Sequence, residues 1–259
     1  NIITKDSSRT QDWAIDARAG TLDRRVGARY GGRLGPRGSY RVYGLGLMQG
    51  SLVRPDGTNA GDSWNLVQGG FRADWERAAG AFTLQGDVYR GTGIGRPAFR
   101  SSGSISGGNI SATWDRRFGD GSTLQVRTYF NNTSRALVSG IDARLDQYSA
   151  EAQYDFSPRK GHAMVVGAGY RRTDDHLERG PGTVFLDPES RTLRFMDVFA
   201  QRRIEERLGP DADVEVVALA LQMAHHQRSH ATVALAHDPD ARRTQEGGEL
   251  LHLPRGDLW

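Results

Sequence analysis

Between residues 71 and 170, apolar and polar side chains alternate one for one in runs of about ten residues. Each run closes in a tight Gly/Pro turn or a long polar loop. Over 81–89, Phe82, Leu84, Gly86 and Val88 fall on one face and Thr83, Gln85, Asp87 and Tyr89 on the other. Over 109–130, Ile110, Ala112 and Trp114, then Leu124, Val126, Thr128 and Phe130, oppose a polar set across the turn Phe118-Gly119-Asp120-Gly121. Over 147–156, Tyr148, Ala150, Ala152, Tyr154 and Phe156 oppose Gln147, Ser149, Glu151, Gln153 and Asp155. Val67, Gly69, Phe71, Ala73 and Trp75 continue the pattern upstream; 162–171 fits less well because Val165 and Val166 are adjacent. The period is two, so these runs predict β-strands and not helices.

A soluble antiparallel sandwich also alternates. Three features favour strands that cross a membrane. The runs are about ten residues long, whereas soluble strands are about five or six. Trp64, Trp75, Tyr89, Trp114, Phe130, Tyr148, Phe156 and Tyr170 sit at run ends, where membrane interfaces hold aromatics. The polar face carries Arg, Asp, Gln and Glu but little Lys, as a watery lumen allows. The connections alternate as well: short near 33–38, 76–80, 118–121 and 157–161, long at 50–63, 91–106, 132–145 and 173–190. This predicts about ten antiparallel strands of a transmembrane β-barrel between Trp13 and Gln201, an all-β fold.

Mean hydropathy is −0.58 and no run of 18 apolar residues occurs, so no transmembrane helix is expected. That value does not bear against a barrel, in which half of every strand is polar. Cysteine is absent, which removes thiol chemistry and Cys-based zinc sites. The net charge is +3, carried almost wholly by scattered Arg. No basic stripe forms, so nucleic acid is not an expected partner. No signal peptide is read at the opening of the sequence, and a secreted barrel needs one, so the true start of the protein is expected upstream of Asn1.

The opening residues Asn1-Ile2-Ile3-Thr4-Lys5 resemble the closing strand of the plug in TonB-dependent outer-membrane receptors, which runs straight into the first barrel strand. Asp6 to Asp12 reads as a polar linker, and Gly20-Thr21-Leu22-Asp23-Arg24-Arg25 is similar to that family's first hairpin. Tyr40-Arg41-Val42-Tyr43, the stretch from Gln68 to Trp75, and Leu84-Gln85-Gly86-Asp87-Val88-Tyr89 resemble its early barrel strands; Phe199-Ala200-Gln201 resembles a mid-barrel strand. The resemblance covers roughly 1–201. It implies a plug end at 1–5 and a partial barrel over 6–201, about ten of some 22 strands. It also implies residence in a Gram-negative outer membrane, and uptake of a scarce solute, most often a ferric siderophore, energised through TonB. Partners would be the TonB complex, the iron–siderophore complex and outer-membrane lipid. Under it, ligand contacts are expected in the long loops, at Arg96, Arg100, Asn132, Arg135, Asp174 and His176. Lumen-facing Gln85, Asp87, Gln125, Arg127, Glu151 and Gln153 would contact the plug or water. A passive porin-like barrel and a soluble all-β binding module are the alternatives.

Residues 202–259 break the pattern. Of five Trp, eight Tyr and nine Phe, only Trp259 lies there, whereas five of the seven His do. The stretch 214–224 reads as a short apolar helix or buried strand and 238–248 as polar loop. The tail therefore reads as irregular, either translated out of frame after a frameshift near codon 202 or a small soluble appendage.

Chemistry-bearing patterns are sparse. His226 and His230 stand one helical turn apart, but Gln227 occupies the place where a zinc-protease helix needs Glu. Gly91-Thr92-Gly93-Ile94-Gly95-Arg96 is followed by Pro97, which opposes the helix a nucleotide-binding glycine run requires. Asp174, Asp175, His176 and Glu178 read as a solvated charge cluster. Asn131-Asn132-Thr133 matches a glycosylation acceptor by pattern only. No catalytic triad, supported carboxylate pair, metal site or cofactor motif is found, and the chain is not expected to be an enzyme.

Overall fold

A computed structural model describes residues 4–93, 103–136, 142–159, 161–178, 184–185, 188–204, 216–225 and 234–235. It contains strands β1 (Asp12–Ala19), β2 (Asp23–Arg33), β3 (Gly38–Gln49), β4 (Trp64–Arg77), β5 (Gly80–Thr92), β6 (Ser104–Arg117) and β7 (Thr123–Ala136). These are followed by β8 (Asp142–Arg159), β9 (His162–Glu178), β10 (Val184–Phe185), β11 (Ser190–Ile204), β12 (Val216–His225) and β13 (Ala234–Leu235). A single 3-10 turn, Ser7–Arg9, precedes them. Eleven strands form one antiparallel sheet in the order β1 to β9, β11, β12, every neighbour also next in the chain except around β10, which pairs with β13. Ten of the eleven fall between Asp12 and Ile204, as the alternation predicts.

Register explains the alternation. One rung runs Trp13, Tyr30, Val42, Phe71, Gly86, Ile110, Phe130, Tyr148. A rung of the opposite face runs Gly31, Arg41, Arg72, Gln85, Ser111, Tyr129, Ser149, Arg171. Beyond Tyr148 the apolar rung becomes Arg172 and Arg194. Rungs lie across strands that tilt in a barrel, so each rung climbs out of the apolar band. Aromatic rings lie over directly paired glycines: Trp75 over Gly38, Tyr40 over Gly32, Phe71 over Gly86, Tyr89 over Gly107 and Phe199 over Gly167. Each ring fills the space its partner leaves, which restores packing that glycine alone would lose.

Among the described residues Ala73 is the sole buried hydrophobic side chain, while Trp13, Ile15, Val67 and Val88 are 64–76% exposed. The apolar face has no second layer over it, which a sandwich core requires. The fold is a single curved wall of all-β type, apolar outside and polar inside.

Three expectations are corrected. Strands are up to 18 residues long and not about ten. The connection expected over 132–145 shrinks to 137–141, and that over 173–190 to 179–189. Backbone ladders continue past the point where side chains stop alternating in hydropathy, so projecting strand ends read as polar loop in sequence. Finally, Trp64 and Tyr89 pair with Gln49 and Gln68 on the inner face, not at an outer interface. In the tail, the stretch read as helix or buried strand is β12, paired with β11 over ten residues. The expected loop at 238–248, and His226 and His230, lie outside the described residues.

Candidate functional site

The inner face is most elaborated where the segment ahead of β1 crosses it. Asp6 caps the 3-10 turn by accepting from the Ser8 N–H at 2.8 Å. The Ser7 N–H donates to Asp74 at 2.9 Å, and the Ser7 and Ser39 hydroxyls meet at 2.7 Å. Arg72 grips both oxygens of Asp74, each at 2.8 Å, and the Thr83 hydroxyl donates to the same carboxylate at 2.8 Å. Arg41 donates to the Lys5 carbonyl at 2.7 Å and Arg72 to the Thr4 hydroxyl at 2.9 Å. Ser7 is fully buried and Asp74 is 5% exposed. The alternating strands put Ser39, Arg41, Arg72, Asp74 and Thr83 on one face, and this clamp occupies it. Gly31 makes the approach possible: a Cβ there would stand 2.1 Å from the Thr10 carbonyl oxygen. Beneath the clamp lies a cavity of about 580 Å³ lined by Asp6, Arg33, Arg37, Ser39, Asp74 and Glu76. Of the expected plug end, residues 1–3 lie outside the described residues, and Thr4 and Lys5 rest against this wall.

Further along the wall, Gln68 donates to the Tyr43 hydroxyl at 2.9 Å and Tyr43 donates to Asp87. A depression of about 300 Å³ then gathers Gln125, Arg127, Glu151, Gln153, Arg171 and Asp197. The wall thus presents charges of both signs toward the interior. No group of metal-ligating side chains is found among the described residues.

The long connection 50–63 is tied internally. The Leu52 N–H and the Ser51 hydroxyl each donate to Asp62 at 2.8 Å, and the Gly61 N–H donates to the Ser51 hydroxyl oxygen at 2.8 Å. The Leu52 amide, then the Ser51 hydroxyl, hold the Asp62 carboxyl below its ordinary value of 3.8. A depressed carboxyl stabilises above its unfolded pKa and loses that contribution as pH falls through the folded one. Hydrogen-exchange protection of the Leu52 amide is therefore expected to be constant at neutral pH and lost in acid below that range. The substitution Asp62→Ala should remove it at every pH; protection that persists in the variant contradicts this tie.

Of the expected ligand contacts, Arg96 and Arg100 lie outside the described residues. The other four are in strands and not in loops, and they do not converge. Asn132 in β7 donates to Asp146. Asp174 in β9 accepts from Thr192 at 2.7 Å and pairs with Arg172 at 2.9 Å. His176 meets Ser190 at 2.6 Å and Glu178 at 3.4 Å. Register puts Asn132, Asp174 and His176 on the outer face, beyond Tyr148, and Arg135 on the inner face with Ile105 and Ala143. The clamp residues escaped the sequence reading because each is an ordinary polar position; only the fold brings Ser7 across 67 residues to Asp74.

An antiparallel meander with an exposed apolar outside and a charged inside is the wall of a β-barrel. Its likeness to particular solved structures narrows this. The siderophore receptor PirA from Acinetobacter baumannii matches with a TM-score of 0.59 at 10% identity, over 85% of this chain and 39% of that one. PirA from Pseudomonas aeruginosa matches with a TM-score of 0.57 at 14% identity, over 78% and 35%. A mutant of the ferric enterobactin receptor PfeA from Pseudomonas aeruginosa, in complex with enterobactin, matches at 0.57 and 12% identity, over 85% and 40%. At these identities the likeness is one of fold. The chain spans 35–40% of the length of these receptors. No family model and no curated protein matches the sequence.

Proposed function

We propose that this chain is barrel wall of a Gram-negative outer-membrane receptor that captures a ferric siderophore and admits it with energy supplied through TonB. The observation that carries the reading is the wall of β1 to β9 and β11, apolar outside and polar inside, which follows the fold of siderophore receptors over most of this chain. The outer face suits lipid, and the inner face suits a plug and a hydrated path. Enterobactin bound to one similar receptor favours an anionic iron complex as cargo. Arg135, on the inner face near the end of β7, and Arg96 and Arg100, which lie between β5 and β6 in sequence, are the cationic groups proposed to meet it. Asn132, Asp174 and His176 stand off that path by register.

Disrupting the gene in its source strain tests this. Uptake of radiolabelled iron carried by one siderophore class is expected to stop, with growth on ferrous iron unchanged. Uptake by the parent strain should also collapse when the proton gradient is discharged. Transport that survives the discharge would favour a passive porin. Recovery of the protein from the soluble fraction would overturn the membrane reading altogether.

A further inference from the structure

Trp75, Phe82 and Trp114 are directly paired neighbours across β4, β5 and β6 on the outer face. The Trp75 and Phe82 rings are 5.6 Å apart. Two residues toward the short turns on each strand, the register aligns Arg77, Gly80 and Arg116. Gly80 presents no side chain, and none can be added there: a Cβ would stand 2.0 Å from the Asp115 carbonyl oxygen, and φ is 157°. Two guanidinium-bearing side chains therefore flank a permanent gap, on strands about 10 Å apart. With the aromatic row they bound a groove of about 740 Å³.

The charged side chains that register places on the face of this groove, Arg77 and Arg116, are both positive. Among the described residues neither the Arg77 nor the Arg116 side chain has an ion pair or hydrogen bond; the Arg116 guanidinium lies over the Phe118 ring at 5.3 Å. Asp115 also lines the groove, but its side chain belongs by register to the inner face, where Gln125 donates to it at 2.6 Å. An apolar floor with two cationic side chains at one end is a site for a molecule that is greasy along its length and anionic at its tip.

We propose that this groove is a phospholipid site. The acyl chains lie along Trp75, Phe82 and Trp114, and the phosphate bridges Arg77 and Arg116 above Gly80. The inference rests on the membrane reading and adds to it one defined position, at the short-turn end of the wall, where a lipid is held and not merely adjacent. Aromatic girdles are general in barrels; the unpaired cations on either side of a side-chain gap are what distinguish this position.

The protein in maltoside micelles, titrated with dibrominated phosphatidylglycerol, provides the test, because bromine quenches the Trp75 and Trp114 fluorescence on contact. The half-quenching concentration is expected to rise about fivefold for Arg77→Gln or Arg116→Gln and roughly thirtyfold for the double variant. Dibrominated diacylglycerol, which lacks the phosphate, should quench poorly and equally in parent and variants. Trp75→Phe with Trp114→Phe should abolish the Arg-dependent part of the signal while the remaining tryptophans still report. Equal quenching of parent and double variant by phosphatidylglycerol would overturn the proposal, as would equal potency of the diacylglycerol. Full displacement of the lipid by inorganic phosphate would reduce the site to an anion site and overturn it too. These failures are distinct from failure of the membrane reading, which recovery of the parent protein in the soluble fraction would reveal.

Discussion

The substitution Asp74→Ala is expected to release the segment ahead of β1 and to cost about 3 kcal/mol of stability. Asp74 is the shared acceptor of four donors: the Ser7 amide, the Thr83 hydroxyl and two nitrogens of Arg72. It is also the counter-ion of a crowded cationic rung. Arg41 and Arg72 are directly paired across β3 and β4, and like charges directly opposite repel. Asp6 reaches Arg72 only at 3.8 Å, so it compensates poorly. Removing the carboxylate leaves the Arg72 guanidinium, 16% exposed, without its bidentate partner, and leaves the buried Ser7 amide without an acceptor. Stranding a buried charge is the expensive way to break such a pair.

The variant Asp74→Asn separates shape from charge. Its carbonyl still accepts from Ser7, but it presents an amide to Arg72, so a loss of about 1.5 kcal/mol is expected. Unfolding in micelles measures both losses. Trypsin supplies the local readout, because Lys5 and Arg9 lie within the clamped segment. Parent protein should resist cleavage there, Asp74→Ala should be cut at both, and the β1–β9 wall should survive digestion in each case. An unchanged unfolding midpoint together with resistant Lys5 and Arg9 would show that the clamp contributes nothing.

The wall was legible because its strands obey one alternation rule with few exceptions, and Ile110, Phe130 and Tyr148 alternate as their rung requires. The register between strands was not read from sequence; the short turns set it, as from Phe118 to Ser122, where the Phe118 N–H donates to the Ser122 carbonyl at 2.9 Å. Strand ends were not legible. Asn132, Asp146, Asp174 and Thr192 form one continuous rung, yet no apolar residue marks it, so hydropathy ended the strands too early. The clamp was not legible for a different reason. Its specificity lies in contacts between residues far apart in sequence, and Ser7, Ser39 and Asp74 carry no local pattern. The charged depression was half legible: Arg127 and Glu151 were placed on the inner face by alternation, but Asp197 joins them only because Gly169 leaves room for its carboxylate, 2.6 Å from where a Cβ would stand.

The substitution Val88→Arg should decide which solvent the outer face meets. Val88 lies mid-strand on β5, 67% exposed, between Gly69 and Gly108 on its rung. If water covered this face, an arginine there would be nearly neutral, because the side chain buries little and its charge stays solvated. In a bilayer the same arginine sits in hydrocarbon and is expected to cost about 2–4 kcal/mol. A matched change on the other face supplies the reference. Ser111→Arg adds the same side chain on the adjacent strand, on the inner rung with Gln85 and Tyr129, and should change stability by less than about 1 kcal/mol. Arginine near either girdle reaches headgroup water, so a third variant, Phe82→Arg beside Trp114, should cost less than Val88→Arg. Unfolding from lipid vesicles gives the three values. The order Val88→Arg, then Phe82→Arg, then Ser111→Arg, from largest loss to smallest, is that of a membrane wall with a hydrated interior. Near-equal small losses at all three would place both faces in water, and the apolar face would then need a protein partner to cover it.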